Sequence, residues 1–361
     1  MKTDMNLIKK IRNILLYLFY LFIVTFVILE TIFIILPVSD SYQSQPVNAD
    51  NPILHFKPNR TVNTQIGFNF SHINKKIVNN YGYTNDFDFK NSNNAENKIF
   101  AIIGDSYVEA SQVSNSNSFH GILNSSNKNI QFYPIGISGS PLSQYIAFAK
   151  FAENNFNPDL YIFLIIDNDF DESWLDFSNN VPGLHYFDTN ENLIRTDYQP
   201  PRWKIILRKS AFIRYLYLDF KLHHQLTLFN KFKLKLLGKE SIKEQGDYSK
   251  RLNLGLKATD MFLFYLNELI PNKPIILLVD GDRKSIYKNQ EYRNTNKITN
   301  TWMEYINKRG ELSNNIKVID LHSYFLKDWS LNQKKFNWDY DYHWNERGHR
   351  IAAEVLNNLL D

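Results

Sequence analysis

The chain opens on its longest apolar run. Ile14 to Leu29 is apolar apart from Thr25, and after Glu30 and Thr31 the run resumes from Ile32 to Leu36. A helix of that length crosses a hydrocarbon core of about 30 Å. No polar face interrupts Ile14 to Phe26, which argues against a buried core helix. Residues 37–97 turn polar and rich in Asn, Ser and Gln, with local apolar clusters such as Pro52-Ile53-Leu54. They predict a linker and a lead-in segment lying against the domain that follows. From residue 98 the pattern changes again. Lys98 to Ile103, Ile130 to Ile135, Leu160 to Ile166, Pro274 to Val279 and Val318 to Leu321 read as short buried strands. Ser143 to Ala152 and Met261 to Leu269 read as helices. Arg347 to Leu360 closes the chain as an amphipathic helix, with Ile351, Ala352, Val355 and Leu359 on one face. Strands alternating with helices predict an α/β fold whose central parallel sheet is covered on both sides. The expected organisation is a cytoplasmic stub and transmembrane anchor over 1–36, the linker and lead-in over 37–97, and one α/β domain over 98–361.

Charge orients the anchor. Lys2, Lys9, Lys10 and Arg12 precede the apolar run, whereas Pro37 to Asn51 carries no Lys or Arg. The positive-inside rule keeps the N-terminus in the cytoplasm and places the rest outside, in a periplasm or at a cell surface. A cleaved signal peptide is the rival reading. The run is long for one and no clear small-x-small site follows it, so an uncleaved single-pass anchor is expected. Glu30 then sits near the outer interface, where a carboxylate costs less than at the midplane. A net charge of +4 over 361 residues gives no nucleic-acid footprint. The absence of cysteine excludes disulfides, thiolate metal sites and a Cys nucleophile.

An insertion at about 171–255 exceeds what the α/β plan needs. Its middle, Arg202 to Lys239, holds ten Lys or Arg and one acid, Asp219, interleaved with Trp203, Phe212, Tyr215, Tyr217, Phe220, Phe229 and Phe232. It reads as a helical subdomain with packed aromatics, or as a basic surface for anionic lipid or acidic polysaccharide.

Four separated segments carry candidate chemistry, three of them at predicted strand ends, where open parallel sheets form their sites. Gly104-Asp105-Ser106 predicts a tight turn that projects a serine hydroxyl, followed from Tyr107 by a helix start whose N–H groups favour an anion. Gly136-Ile137-Ser138-Gly139 offers backbone that a ligand can approach. Asp167-Asn168-Asp169 offers an amide donor for an oxyanion. In Asp341-Tyr342-His343, the acid and the imidazole fall on one side of an extended segment. A nucleophilic serine needs that imidazole as base and that carboxylate to fix its tautomer. Asp339 is a second candidate carboxylate, and Trp338 and Trp344 are candidates for stacking on sugar rings or for packing. A metal-dependent phosphoesterase built on Asp167, Asp169, Asp341 and His343 is a rival enzymatic class.

In this order the four segments resemble the characteristic blocks of the SGNH/GDSL hydrolase superfamily, over about residues 98–170 and 270–361. Gly104-Asp105-Ser106 resembles the nucleophile block, Gly139 the glycine of the second, Asn168 the asparagine of the third, and Asp341 and His343 the terminal block. Asn79-Asn80-Tyr81-Gly82-Tyr83 resembles the lead-in of membrane-anchored relatives. Asp-x-His with Trp344-Asn345 and a later Gly348 resembles the branch that modifies the acetylation of bacterial exopolysaccharides. Tyr107 stands where the family usually has Leu, and Asp167 where it often has Gly.

The resemblance implies a three-layer α/β/α sandwich of flavodoxin-like type. It implies a triad of Ser106, Asp341 and His343 and an oxyanion hole from the N–H groups of Ser106 and Gly139 with the Asn168 amide. No cofactor and no metal are expected. The implied activity is a serine-dependent esterase acting on O-acyl groups, above all O-acetyl, of extracytoplasmic carbohydrate. The alternatives are a polysaccharide O-acetyltransferase using the same site and a non-catalytic polysaccharide-binding assembly protein.

Overall fold

The computed structural model describes residues 2–92, 96–177, 181–222, 245–339 and 341–360. The chain falls into two compact units, one of residues 1–41, 65–73 and 201–238, the other of residues 42–64, 74–200 and 239–361.

In the first unit the apolar run forms one helix, Lys2–Ile35. Its stretch Ile8–Ile35 is long and apolar enough to cross a membrane. The short helices Arg202–Leu207 and Ala211–Arg214 and a single π turn, Tyr215–Asp219, belong to the same unit. The remainder of the basic segment, with His223, His224, Phe229 and Phe232, lies outside the described residues.

The second unit is built on a five-stranded sheet whose strands we number in chain order: β1 Lys98–Gly104, β2 Ile130–Gly136, β3 Leu160–Ile165, β4 Ile275–Val279 and β5 Ile316–Asp320. All neighbours are parallel and the spatial order is β2-β1-β3-β4-β5. This is the flavodoxin-like order, with its switch point between β1 and β3. Successive strand residues face opposite sides, and here both sides are apolar. Ala101, Ile103, Tyr133, Ile135, Phe163 and Leu277 share one core with the helices Leu142–Phe156, Gln245–Leu269 and Lys297–Glu311. Ile102, Phe132, Ile162, Leu164 and Leu278 share the other with Phe119–Ser126, Leu321–Asn332 and Glu346–Leu360. The expected three-layer sandwich follows from that two-sided burial.

Where elements differ from expectation, side-chain capping decides. The last strand stops at Asp320 rather than Leu321, because the Asp320 carboxylate accepts from His322 N at 2.8 Å and starts a helix there. Strand β3 stops at Ile165, because Ile166 N is taken by Asp169 at 2.7 Å. The helix expected over Met261 to Leu269 begins at Gln245. Its added turns are held by indole donors from outside the helix, Trp174 to Leu254 O at 2.9 Å and Trp302 to Leu252 O at 3.0 Å.

The lead-in contains an antiparallel hairpin, Arg60–Ile66 with His72–Val78. Four side chains of the lead-in bond the four consecutive carbonyls that follow the Ser106 turn. Thr84 Oγ donates to Glu109 O at 2.8 Å, Lys76 Nζ to Ala110 O at 3.0 Å, Thr64 Oγ to Ser111 O at 2.7 Å and Asn74 Nδ2 to Gln112 O at 2.8 Å. Ala110 sits at φ 50°, a left-handed conformation that costs a non-glycine residue about 1–2 kcal/mol. The row of donors holds it there.

Lys76 is fully buried, and desolvation drops its ammonium to about 7 from 10.5, against the opposing pull of Glu109 and Asp86. From about 7 to 10.5 the unfolded chain keeps this proton while the folded chain gives it up. Unfolding therefore takes up a proton in that window, and this group makes stability rise with pH. Denaturant unfolding of Lys76→Met in detergent should show a flatter rise than the parent across the window. An unchanged slope would assign the dependence to other groups.

Candidate active site

Strand β1 ends at Gly104, and Asp105 caps a four-residue helix, Ser106–Glu109, by accepting from Tyr107 N at 3.0 Å. All four residues of that helix are buried. Val108 packs back onto the sheet. A Cβ on Gly104 would stand 2.5 Å from Val108 Cγ2, and one on Gly136 would stand 2.6 Å from Val108 Cβ. Neither glycine has a positive φ. The first glycine is thus required by close approach rather than by the turn conformation expected of it. The N–H groups of Tyr107, Val108 and Glu109 are all engaged by Asp105, so the helix start does not present the anion site read from the sequence.

Ser106 Oγ lies 2.8 Å from His343 Nε2, although the two residues are 237 positions apart in the chain. His343 Nδ1 is in hydrogen-bond contact with Asp341 Oδ1, which also accepts from His343 N at 3.0 Å. The extended segment Asp341–Trp344 aligns the two side chains, as their spacing predicts. The second candidate acid is engaged elsewhere. Asp339 pairs with Lys335 at 2.9 Å and is 70% exposed.

Sequence reasoning missed what holds this segment. The Tyr107 ring packs on His343 with centroids 4.9 Å apart, and its hydroxyl donates to Tyr342 O at 3.1 Å. Arg283 donates to that hydroxyl at 2.6 Å and pairs with Asp280 at 2.5 Å. Asp280 in turn accepts from Trp344 Nε1 at 3.0 Å. Tyr107 is therefore one link between the Ser106 turn, the end of β4 and the histidine segment. Trp344 is fully buried and cannot stack on a sugar. Its role is packing, and Trp338 is half-buried on the neighbouring short strand.

The register sets the other predicted residues at the same edge. Ile103, Ile135 and Phe163 lie level on the three adjacent strands, and Ser106, Gly139 and Asn168 follow them by three, four and five positions. Gly139 has φ 80°, a conformation that favours glycine. Its neighbour Ser138 donates from N and from Oγ to Glu109 Oε2, at 2.8 and 2.7 Å. The glycine loop is thereby tied to the helix that carries Ser106. Asn168 donates to Glu172 at 3.1 Å, which uses one of its two amide hydrogens and orients the group. Asp169 is directed inward, accepting from Tyr145 at 2.9 Å as well as from Ile166 N.

Burial governs the electrostatics. It pushes the Asp105 and Glu109 carboxyls above their ordinary range, against hydrogen bonds that pull them down. Burial alone would depress the His343 imidazole. The Asp341 bond and charge, with the charges of Asp105 and Glu109, outweigh it and raise the group above 6.5. Ser106 Oγ also lies 3.0 Å from Asp105 Oδ2, so Asp105 and His343 compete for one hydroxyl proton. A cavity of about 420 Å³ adjoins this edge, lined by Tyr107, Asp167, Asp282, Arg283, Asn296 and Tyr342 among others.

No family model and no curated protein matches the chain. Among solved structures it is similar to a member of the lipolytic protein G-D-S-L family from Veillonella parvula DSM 2008, at 11% identity and TM-score 0.39 over 73% of this chain and 97% of that one. It is similar to a two-domain esterase active on acetylated mannans, at 12% identity and TM-score 0.38 over 73% and 48%. It is also similar to a carbohydrate esterase family 2 enzyme from Corynascus thermopiles (Myceliophthora fergusii), at 12% identity and TM-score 0.35 over 77% and 69%.

A base that must be neutral to accept the serine proton works only above its own pKa. The acid limb of kcat/KM should therefore fall above 6.5, the ordinary imidazole value. Asp105→Asn removes one of the charges that raise His343, so its limb should move to lower pH. A limb that stays in place would show that the Asp105 charge does not act on the imidazole.

Proposed function

We propose that the chain is an SGNH-type serine esterase that removes acyl groups, acetyl foremost, from extracytoplasmic carbohydrate. The contact of Ser106 Oγ with His343 Nε2 at 2.8 Å, in line with the bond from His343 to Asp341, carries this reading. His343 takes the hydroxyl proton as Ser106 Oγ bonds to the ester carbonyl carbon. Asp341 holds the Nδ1–H tautomer and stabilises the imidazolium. The carbonyl oxygen becomes an oxyanion facing the N–H groups of Ser106 and Gly139 and the free hydrogen of the Asn168 amide. Collapse expels the sugar oxygen, which takes the proton from His343 and leaves an acyl-Ser106. Water, deprotonated by His343, then attacks the acyl carbon, releasing the carboxylic acid and restoring the serine.

The neighbouring cavity supports a polyhydroxylated substrate. Its carboxylates, guanidinium groups and amides can both donate to and accept from hydroxyls. Tyr342, 69% exposed at the rim, supplies an aromatic face. The outward placement of the unit rests on the basic residues before the N-terminal helix.

Ser106→Ala should lower p-nitrophenyl acetate hydrolysis by at least about 10³-fold, since loss of any triad member leaves only the oxyanion donors and binding. Full turnover by that variant would mean the nucleophile lies elsewhere. Asn168→Ala should lower kcat by about 10²–10³-fold with KM little changed, the loss expected for one oxyanion donor. A change confined to KM would make Asn168 a binding residue instead. On an acetylated oligosaccharide, free acetate should accumulate. Acetyl appearing only on a second sugar would make the chain a transferase.

A further inference from the structure

Within the first unit, the N-terminal helix carries an acid near the end of its apolar run. Ionisable groups in membrane helices nearly always have partners, even where the interface lowers their cost. The Glu30 carboxylate accepts from Ser210 Oγ at 2.5 Å, Ala211 N at 2.8 Å and Phe212 N at 3.0 Å, and so caps the helix Ala211–Arg214. Phe26 and Phe33 pack on Phe212 at 5.9 and 5.5 Å, and Phe33 on Tyr215 at 4.3 Å. Arg214 reaches both Ser39 O, at 3.2 Å, and Arg208 O, at 3.1 Å. Residues 208–215 are therefore fixed to the C-terminal end of the apolar helix.

The six residues before this joint form the helix Arg202–Leu207, none of them buried. Trp203, Ile206 and Leu207 stand at i, i+3 and i+4 and share one face. They are 58%, 65% and 40% exposed, and Ile205 beside them is 42% exposed. Arg202, Lys204, Arg208 and Lys209 surround them. Water is a poor neighbour for that face, and an acidic polymer would engage the cations while leaving Ile206 and Leu207 wet. An anionic bilayer satisfies both, with the aliphatic groups at the acyl boundary, the indole at the interface and the cations among headgroups.

We propose that residues 202–209 lie in the headgroup region of the bilayer crossed by the N-terminal helix, as a second membrane contact. The placement rests on the spanning reading of that helix. It also requires the helix to be retained, because cleavage would remove Glu30 and the aromatic joint together.

The chain has no cysteine, so Ile206→Cys in the full chain gives a single site for a nitroxide. The protein is reconstituted in phosphatidylcholine vesicles with and without phosphatidylglycerol. Collision with oxygen and with a water-soluble nickel chelate is compared with that at Leu331→Cys, whose parent residue is 76% exposed in the other unit. The expected result is an oxygen-to-nickel ratio several-fold higher at 206 than at 331, falling when phosphatidylglycerol is omitted. p-Nitrophenyl acetate turnover checks that both variants are folded. Equal ratios in folded protein would overturn the proposal. So would shielding of 206 by soluble polygalacturonate but not by vesicles, or a membrane-fraction mass lacking the N-terminal helix.

Discussion

A hydroxyl and an imidazole 237 positions apart must stay within hydrogen-bond reach for any of this chemistry to occur. Two freely rotating side chains on mobile segments would lose that contact to conformational entropy. The fold removes the freedom beforehand. Parallel register brings the Ser106 turn to the rim of the sheet, and the Tyr107–Arg283–Asp280–Trp344 chain ties the histidine segment to the same rim. Burial then gives each of these bonds more weight than it would have in water.

The same burial has costs that the structure offsets locally. Glu109 and Lys76 are charged types in fully covered positions, and each is surrounded by groups that satisfy it. Both act on the segment behind the serine. Glu109 holds the glycine loop through Ser138, and Lys76 is one of four donors that fix the carbonyls of residues 109–112. The lead-in is therefore a support of the segment that follows the Ser106 turn, which explains why Thr64, Lys76 and Thr84 are buried in a polar stretch without clear periodicity.

The inner strands were legible because both faces of the sheet are apolar there, which leaves short continuous hydrophobic runs such as residues 99–103 and 160–165. The edge strand Ile316–Asp320 is only partly buried and gave the weakest pattern. The meeting of Ser106, His343 and Asp341 was legible for a different reason: a hydroxyl, an imidazole and a carboxylate are restricted residue types, and Asp341 and His343 sit two positions apart, a spacing that shares a strand face. Supporting residues carry no such mark. Lys76 looks like a solvated lysine, Tyr107 like an ordinary aromatic, and Trp344 reads equally as packing or as a sugar platform until its burial is known. Element ends set by Asp105, Asp169 and Asp320 depend on which carboxylate folds back onto which N–H. Hydrophobic periodicity does not encode that choice.

The central claim is that one serine, activated by one imidazole, becomes covalently acylated. Peptide mass mapping after reaction with a fluorophosphonate probe tests it directly. The adduct should lie on Ser106 alone in the wild-type chain and be lost in His343→Ala. An adduct on another residue, or one on Ser106 that forms equally fast without His343, would contradict the account.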